Sequence, residues 1–281
     1  MHSVKFVFLS LLFSCTLFSC TEKNTSELIP LNYSTLELKH VFGKGIGYSC
    51  GYTSLVNTNY VIKSLNTYIV DLRSHVFDDD STAFNVGLAY RHFFPTSEIE
   101  IGLNTYFDGL RPADSGFIGQ VGLGFEFFHP LSNVNLNIYL PTKDEVKTFD
   151  ISYDNYFGFF WIYHEHTNIS FKCFDVDACF YRQNFKYATL TTSAGFYYIY
   201  NRVDEPTWGS QYNSTLKFYK WATLSLMFTN DNIFDSRFQV QISFEIPLYT
   251  PNKRKNRLDI EPVQRHEILA IQNHPFWDWS Y

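Results

Sequence analysis

The 281-residue chain carries 22 basic and 28 acidic residues, giving a formal net charge of −6 and a sequence pI near 5.8. This acidic balance argues against a nucleic-acid partner, because proteins that bind nucleic acid present a strongly basic surface. Aromatic residues make up 19% of the chain and charged residues only 18%, against roughly 25% charged residues in a typical globular domain. The composition therefore favours β-strands, in which Phe and Tyr are enriched.

The N-terminus, residues 1–20, is typical of an export signal peptide. Lys5 precedes an apolar run from Phe6 to Phe18, which is too short to cross a bilayer as a helix. Leu17-Phe18-Ser19-Cys20 resembles the lipobox that ends in the acylated cysteine of bacterial lipoproteins, although Phe18 stands where a small residue is usual. Lipidation at Cys20 and ordinary cleavage near residues 19–22 both remain open. Residues 21–44 are interpreted as an N-terminal periplasmic segment.

Alternation of apolar and polar residues recurs from residue 45 to residue 249. In residues 98–108, Ile99, Ile101 and Leu103 alternate with polar residues or glycine, as in a strand whose successive side chains point to opposite faces. Turn signals such as Asp78-Asp79-Asp80 separate such segments. The predicted strands lie near residues 45–55, 65–76, 83–93, 98–108, 116–128, 133–141, 155–165, 168–182, 188–200, 209–219, 221–230 and 235–249.

Strand length and the chemistry of the two faces indicate a membrane protein. The predicted strands are mostly about ten residues or longer, as a tilted membrane-crossing strand requires, whereas soluble strands average about 5–6 residues. One face is almost free of charge, and a charge facing lipid costs about 2–4 kcal/mol at mid-bilayer. We therefore predict an all-β fold, a closed antiparallel transmembrane β-barrel of about 12 strands over residues 45–249.

The opposite, polar face is expected to line a wet lumen in which charges can pair. The lumen-facing charged candidates are Asp71, Arg73, Arg91, Glu100, Glu126, Arg237 and Glu245. Aromatic residues near strand ends are interpreted as interfacial girdles; these are Tyr60, Tyr139, Tyr200, Trp208, Trp221 and Tyr249.

Several motifs occur in a fixed order along the first half of this region. They are Gly45-Ile46-Gly47-Tyr48, Gly51-Tyr52-Thr53-Ser54-Leu55, Val70-Asp71-Leu72-Arg73-Ser74-His75, Asn85-Val86-Gly87-Leu88-Ala89-Tyr90-Arg91, Gly102-Leu103-Asn104-Thr105-Tyr106-Phe107-Asp108 and Asn135-Leu136-Asn137-Ile138-Tyr139-Leu140-Pro141. Together they resemble the β-domain of the inverse autotransporters, the family of intimin and invasin. The resemblance covers residues 45–141, and residues 209–249 more loosely.

The resemblance implies a 12-stranded barrel in the outer membrane of a Gram-negative-type bacterium, surrounded by its lipids and inserted by the barrel assembly machinery. In that family a C-terminal linker threads the pore and carries an adhesive passenger to the surface. Here only residues 250–281 follow the last predicted strand, so no passenger domain is predicted, and a surface ligand is not identified.

The tail, residues 250–281, can reach about 110 Å when fully extended, enough to enter the barrel. Two interpretations remain open. Residues 261–269 either occupy the lumen, with Arg265 and Glu267 pairing with charges of the wall, or form a disordered periplasmic end.

Sequence motifs for catalysis or metal binding are weak. His164 and His166 lie two residues apart with no third ligand nearby, which is more typical of a polar strand end than of a metal site. Neither a nucleophile elbow nor a phosphate loop occurs. We predict no enzyme activity, no cofactor and no metal.

Three functions remain open: a surface or translocator-like scaffold of inverse-autotransporter type, a small-solute channel, and a secreted soluble β-domain.

Overall fold

The computed structural model describes residues 31–113, 116–130, 132–143, 145–153, 161–201, 205–219, 221–249, 262–268 and 270–278. These contain fifteen strands, and no helix among them is long and apolar enough to span a bilayer. The strands are β1 (Leu31–Gly43), β2 (Tyr52–Lys63), β3 (Asn66–Phe77), β4 (Thr82–Phe94), β5 (Ile99–Arg111), β6 (Ile118–His129), β7 (Ser132–Pro141), β8 (Glu145–Tyr153), β9 (Trp161–Ser170), β10 (Lys172–Asn184), β11 (Ala188–Tyr200), β12 (Thr207–Phe218), β13 (Ala222–Asp231), β14 (Asp235–Tyr249) and β15 (Ile271–Asp278).

Twelve of these strands form a closed antiparallel barrel, which confirms the predicted fold class. Neighbours in sequence are neighbours in the barrel, except that β7 pairs with β10. The barrel closes where β1 pairs with β14, from Ser34 opposite Tyr249 to Gly43 opposite Gln239. Strands β8 and β9 leave the wall and form a separate three-stranded sheet with β15.

The two ends of the barrel differ in their connections. At one end, which we call the short-turn end, the strands are joined by turns of two to four residues, as between Lys63 and Asn66. The other end, the loop end, carries longer connections, including residues 44–51 and the excursion between Pro141 and Lys172 that contains β8 and β9. The beginning of β1 and the end of β14 both lie at the short-turn end.

The exterior of the barrel is an apolar band. Barrel strands run from ten to fifteen residues, and their outward-facing side chains include Leu88, Leu103, Leu123 and Ile246, each exposed by about half or more. Polar and charged residues are buried on the inner face. Because a soluble sandwich would place its apolar face inside, this arrangement excludes the soluble alternative. The chain is an outer-membrane β-barrel, and its exterior suits the hydrocarbon of that membrane.

The first strand of the barrel was placed wrongly by the sequence prediction. Residues 31–43 form β1 within the wall, so the barrel does not begin at residue 45 and residues 21–44 are not wholly a periplasmic segment. The alternation is present there, with Leu38 and Phe42 outward and Lys39 and Val41 inward. Residues 45–51, predicted as part of a strand, form a connection between strands instead.

The segment predicted as a barrel strand at residues 155–165 is also corrected. Residues 154–160 lie outside the described residues, and Trp161–Ser170 belongs to the separate sheet. The count of twelve barrel strands is still reached because β1 takes the place of this segment. In contrast, β11 and β14 coincide with the predicted strands at residues 188–200 and 235–249.

Two members of the predicted aromatic girdles point inward. Tyr60 and Tyr139 are almost completely buried, whereas Tyr200, Trp208 and Trp221 are exposed on the outside. Tyr60 lies at one of the alternating positions of β2 that face the lumen, and Tyr139 lies at such a position of β7. Position near a strand end therefore does not by itself assign an aromatic residue to the membrane interface.

We expect a positive charge on the outer face to destabilise the barrel according to its depth. Leu88 lies at the centre of β4 and Leu140 close to the end of β7. Leu88→Arg should lower the free energy of unfolding by about 2–4 kcal/mol, and Leu140→Arg by about 1 kcal/mol or less. Urea unfolding of the barrel refolded into lipid vesicles measures both values. Equal effects at the two depths would contradict a hydrocarbon environment around β4.

Candidate functional site in the barrel lumen

The lumen-facing charged candidates of β3 to β6 lie inside the barrel, where they form close ion pairs. Arg73 Nη2 is 2.5 Å from Asp71 Oδ2, and Arg91 Nε is 2.8 Å from Glu126 Oε2. All four side chains are nearly inaccessible to solvent. Glu100 is buried on the same inner face of β5. Charges on this part of the wall are therefore neutralised within the protein.

Arg237 and Glu245, both on β14, lie at opposite ends of the barrel. Arg237 is at the loop end, where its guanidinium donates to the backbone carbonyl groups of Phe234, Gly45 and Tyr48. Glu245 is near the short-turn end and accepts a 2.9 Å hydrogen bond from Lys217 Nζ. Arg237 thus holds a loop in place, while Glu245 forms an ion pair that is partly exposed to solvent.

The C-terminal tail occupies the lumen over residues 262–268 and residue 270. Val263 packs with Tyr60 and Ile69, toward the short-turn end. Ile268 packs with Val41 and Phe77 at the loop end. The tail therefore runs through the barrel from the short-turn end toward the loop end.

Glu267 of the tail lies between two basic side chains of the wall. Its carboxylate pairs with Lys39 of β1 and, at 2.5 Å, with Arg73 Nη1 of β3. Its backbone carbonyl accepts a 2.7 Å hydrogen bond from Asn85 Nδ2 of β4. Three strands of the barrel, β1, β3 and β4, thus hold one residue of the tail.

Arg265 of the tail lies between aromatic rings and opposite a carboxylate. Its guanidinium pairs with Asp108 of β5 and lies 4.1 Å from the ring centroid of Tyr106 and 5.3 Å from that of Tyr139. Such cation–π contacts strengthen when the cation is desolvated, and the Arg265 side chain is almost fully buried. Gly122 of β6 leaves the room for this guanidinium, because a Cβ there would lie about 3.0 Å from it.

The backbone of the tail also bonds to the wall, as buried backbone groups generally require a partner. The Val263 carbonyl accepts from Arg73 Nη2 at 3.1 Å, and the His266 backbone N–H donates to the Tyr139 hydroxyl at 2.8 Å. Asn135 Nδ2 donates to the side-chain oxygen of Gln264 at 2.9 Å. These contacts fix the position of the tail as well as its charge pairing.

Two apolar clusters lie across the loop end around the last residues of the threaded segment. Ile268 belongs to the first cluster, with Val41, Tyr52 and Leu110 among its members. Ala270 belongs to the second, which contains Ile46, Tyr139, Phe171, Cys173, Tyr197, Ile199 and Phe234. Apolar packing is therefore most extensive at the loop end of the lumen, while the smaller cluster around Val263 lies toward the short-turn end.

Residues 44–51 fold inward to complete this closure. Gly47 has a φ of +79°, and a Cβ at this position would collide with the backbone of Ala270 and Ile271, so glycine permits both the left-handed conformation and the close approach. Burial raises the pKa of Tyr48 to about 12. Its hydroxyl therefore stays neutral at physiological pH, and it accepts a 2.5 Å hydrogen bond from Gln239 Nε2.

Beyond the loop end, the tail continues as β15 and joins the separate sheet. β15 pairs antiparallel with β9, from Ile271 opposite Ser170 to Asp278 opposite Tyr163. The backbone N–H of Phe171 donates to the Ala270 carbonyl at 3.1 Å, next to this pairing. The tail thus connects the inside of the barrel with the separate sheet at the loop end.

A cavity of about 1390 Å³ remains in the lumen beside the tail. We call it the side cavity. Its wall on β11 to β14 is formed mostly by uncharged hydroxyl and amide side chains, among them Ser193, Gln211, Thr215, Ser225 and Gln241. The lumen is therefore asymmetric, with the charges that hold the tail on one side and a neutral polar wall on the other.

Several residues that hold the tail escaped the sequence prediction of the site. Lys39 was assigned to a periplasmic segment, and Tyr139 to a membrane girdle. Asp108 and Tyr106 lay on the polar face of a predicted strand, which was the signal that could have marked them. Lys39 and Glu267 lie 228 positions apart in sequence, and alternation within single strands carries no information on such pairs.

Among the described residues, no group of three or more His, Cys, Asp and Glu side chains is arranged to hold a metal ion. His164 and His166 lie on β9, paired with β15. Cys20 lies outside the described residues, so its lipidation stays a prediction.

The comparisons with known proteins agree with a barrel fold. No family model matches the sequence, and no curated protein matches it. A chain solved in a study of the in-meso crystallization of membrane proteins is similar over 86% of this chain and 100% of its own length, with a TM-score of 0.60 and 13% identity. KdgM porin in complex with disordered oligogalacturonate covers 75% of this chain and 98% of its own, with a TM-score of 0.45 and 11% identity.

The translocator domain of the autotransporter NalP from Neisseria meningitidis covers 86% of this chain and 94% of its own, with a TM-score of 0.34 and 8% identity. At such identities a likeness concerns the fold alone. Outer-membrane barrels with different roles, porins and autotransporter translocator domains, thus occur among the similar structures.

We expect removal of the Glu267 charge to release the tail. Glu267→Gln leaves Lys39 and Arg73 with one counter-charge fewer inside the lumen, at a cost of about 3 kcal/mol. Tryptic cleavage after Arg265, followed by mass spectrometry of the folded barrel, should then be roughly 100-fold faster, because cleavage follows the population of the released state.

Glu245→Gln is the matched control, since the same change there disturbs the partly exposed pair with Lys217, worth about 1 kcal/mol or less, and a long hydrogen bond from the Tyr33 hydroxyl, with no contact to the tail. Equal cleavage rates in the two variants would mean that Glu267 does not hold the tail.

Proposed function

We propose that the protein is an outer-membrane scaffold of inverse-autotransporter type, which threads its own tail through the lumen and presents it at the loop end. One observation carries this proposal: the tail enters near the short-turn end, pairs with the wall through Arg265 and Glu267, and joins β9 beyond the loop end. The role proposed is display or translocation of a segment, without catalysis.

The orientation of the barrel supports display at the cell surface. Outer-membrane barrels have short turns on the periplasmic side and longer loops outside. On this rule the start of β1 and the end of β14 face the periplasm, and the sheet of β8, β9 and β15 faces the exterior. The tail would then cross the membrane inside the barrel from the periplasm to the surface.

The resemblance to the inverse autotransporters supports the same role. Its motifs include Asn85 to Arg91 on β4 and Gly102 to Asp108 on β5. Asn85 and Asp108 from these motifs contact the tail directly, and Tyr106 lies against Arg265. The residues that carry the resemblance are thus, in part, the residues that hold a threaded segment.

The proposed partners are the lipids of the outer membrane and the barrel assembly machinery. Phe244, Ile246 and Leu248 lie on the outer face of the last barrel strand, β14. In the inverse autotransporters, which the chain resembles, an apolar pattern at the end of the last strand serves as the insertion signal, and we propose that role for these residues.

Epitope accessibility on whole cells tests the direction of threading. An epitope tag fused after Tyr281 should bind its antibody on intact cells. The same tag inserted in the turn between Phe218 and Ala222, at the short-turn end, should bind only after the outer membrane is permeabilised. Labelling of the turn and not of the C-terminus on intact cells would overturn the proposal.

A second candidate function, a small-solute channel, is favoured by the side cavity next to the tail. Tail residues Ile268 and Ala270 belong to the apolar clusters at the loop end, so that a narrow passage would be closed while the tail is in place.

Planar-bilayer recordings separate the closed scaffold from an open channel. A chain ending at Tyr249 should conduct several-fold more current than the full chain, because the charged and apolar groups of the tail leave the lumen. A chain ending at Ala270 keeps the threaded segment and should conduct like the full chain. A large steady current through the full chain would favour the channel instead.

A further inference from the structure

The side cavity has a mostly uncharged polar wall on β11 to β14, and charged groups of both signs, among them Asp175, Asp177 and Arg265, line its inner end. It extends from Lys217 near the short-turn end to Asp175 of β10, where the tail residue His266 also lines it. Members of the apolar clusters, Ile268 and Ala270 among them, line the cavity at its loop end and close it on that side. A solute would therefore reach the cavity from the short-turn end.

Four buried polar atoms on residues lining this cavity have no hydrogen-bond partner in the described structure. They are Asn135 Oδ1, Asp175 Oδ2, Arg265 Nη1 and His266 Nε2. Asp175 is almost completely buried, and its other carboxylate oxygen accepts from Asn137 Nδ2 at 2.9 Å. Buried polar atoms left unsatisfied are costly, so this end of the cavity is suited to a polar guest.

The geometry of this group indicates hydroxyl chemistry. Asp175 Oδ2 and His266 Nε2 are 3.7 Å apart, too far for a direct hydrogen bond. A hydroxyl group can donate to a carboxylate and at the same time accept from an N–H, so it satisfies both atoms. Adjacent hydroxyls of the same guest can reach Ser193 and Gln211, which line the cavity on neighbouring strands and hydrogen-bond to the carboxylate of Asp177.

We propose that the side cavity binds a short neutral saccharide. An anion would meet the carboxylate of Asp175, and a cation would meet Arg265 on the other side, whereas a neutral polyol meets only groups that it can hydrogen-bond. The volume of about 1390 Å³ exceeds that of typical small-molecule sites, roughly 300–1,000 Å³. This role goes beyond the proposed scaffold, since display of β15 requires no guest in the lumen.

Saturation-transfer NMR on the full chain, purified in a detergent without sugar headgroups, tests the proposal. The probes are maltotriose, its anionic counterpart tri-galacturonic acid, and spermidine as a cation. We expect transfer to maltotriose and little to the charged probes. Absence of transfer to maltotriose, or equal or stronger transfer to a charged probe, would overturn the proposal.

Two variants locate the site. Ser193→Trp fills the cavity and should weaken maltotriose binding at least tenfold, while Thr105→Trp, on the outer face of β5, should leave it unchanged. Asp175→Asn, which conserves size, should weaken binding several-fold and serves if the tryptophan variant does not fold, as judged by heat-modifiable migration on gels. Equal loss in Thr105→Trp, or full binding by a folded Ser193→Trp variant, would place the saccharide elsewhere and contradict the assignment.

Discussion

The hydrocarbon around the barrel is the constraint on which the remaining structure depends. A lipid-exposed backbone finds no water, so every strand must pair on both edges, and the twelve strands close only where β1 meets β14. The same solvent excludes charge from the outer face, and charged residues of the strands are therefore directed into the lumen. A lumen of this kind must neutralise its own charges, and part of that neutralisation is already present within the wall, in the pairs of Asp71 with Arg73, Arg91 with Glu126 and Lys217 with Glu245.

The tail supplies further counter-charges for charged residues of the wall. Lys39 and Asp108 find their ion-pair partners on the tail, in Glu267 and Arg265. Arg265 and Glu267, two opposite charges separated by one residue, therefore match the opposite charges of Asp108 and Lys39 on the wall. A tail displaced along the lumen would lose both ion pairs together. This double match, with backbone bonds from Asn85 and Tyr139, gives the threaded segment a defined position and distinguishes it from a linker that merely passes through the pore.

Alternation within a strand is a local property, and it was sufficient to predict the barrel class and most strands from the sequence, with β11 and β14 at their observed limits. It identifies a strand without identifying its sheet, which is why the region of β8 and β9 was assigned to the wall. β1 was missed because the resemblance placed the opening strand at residue 45, although Glu37 and Lys39 upstream face the lumen as the charged residues of a wall strand do. The tail contacts join residues about two hundred positions apart, so the sequence indicated that Arg265 and Glu267 could pair with the wall but not with which residues.

The asymmetry of the lumen accounts for how one barrel can hold a polypeptide and still contain a cavity. Charges of β1, β3 and β5 hold the tail against one side. The mostly uncharged wall of β11 to β14 forms no ion pair with the described tail residues 262–268, so the space beside it stays unfilled. At the loop end the chemistry changes from polar to apolar around Ile268 and Ala270. An apolar layer offers water no hydrogen bonds and resists the passage of ions. The tail can therefore cross the barrel at the loop end without opening a leak. Polar contacts alone would not prevent such a leak.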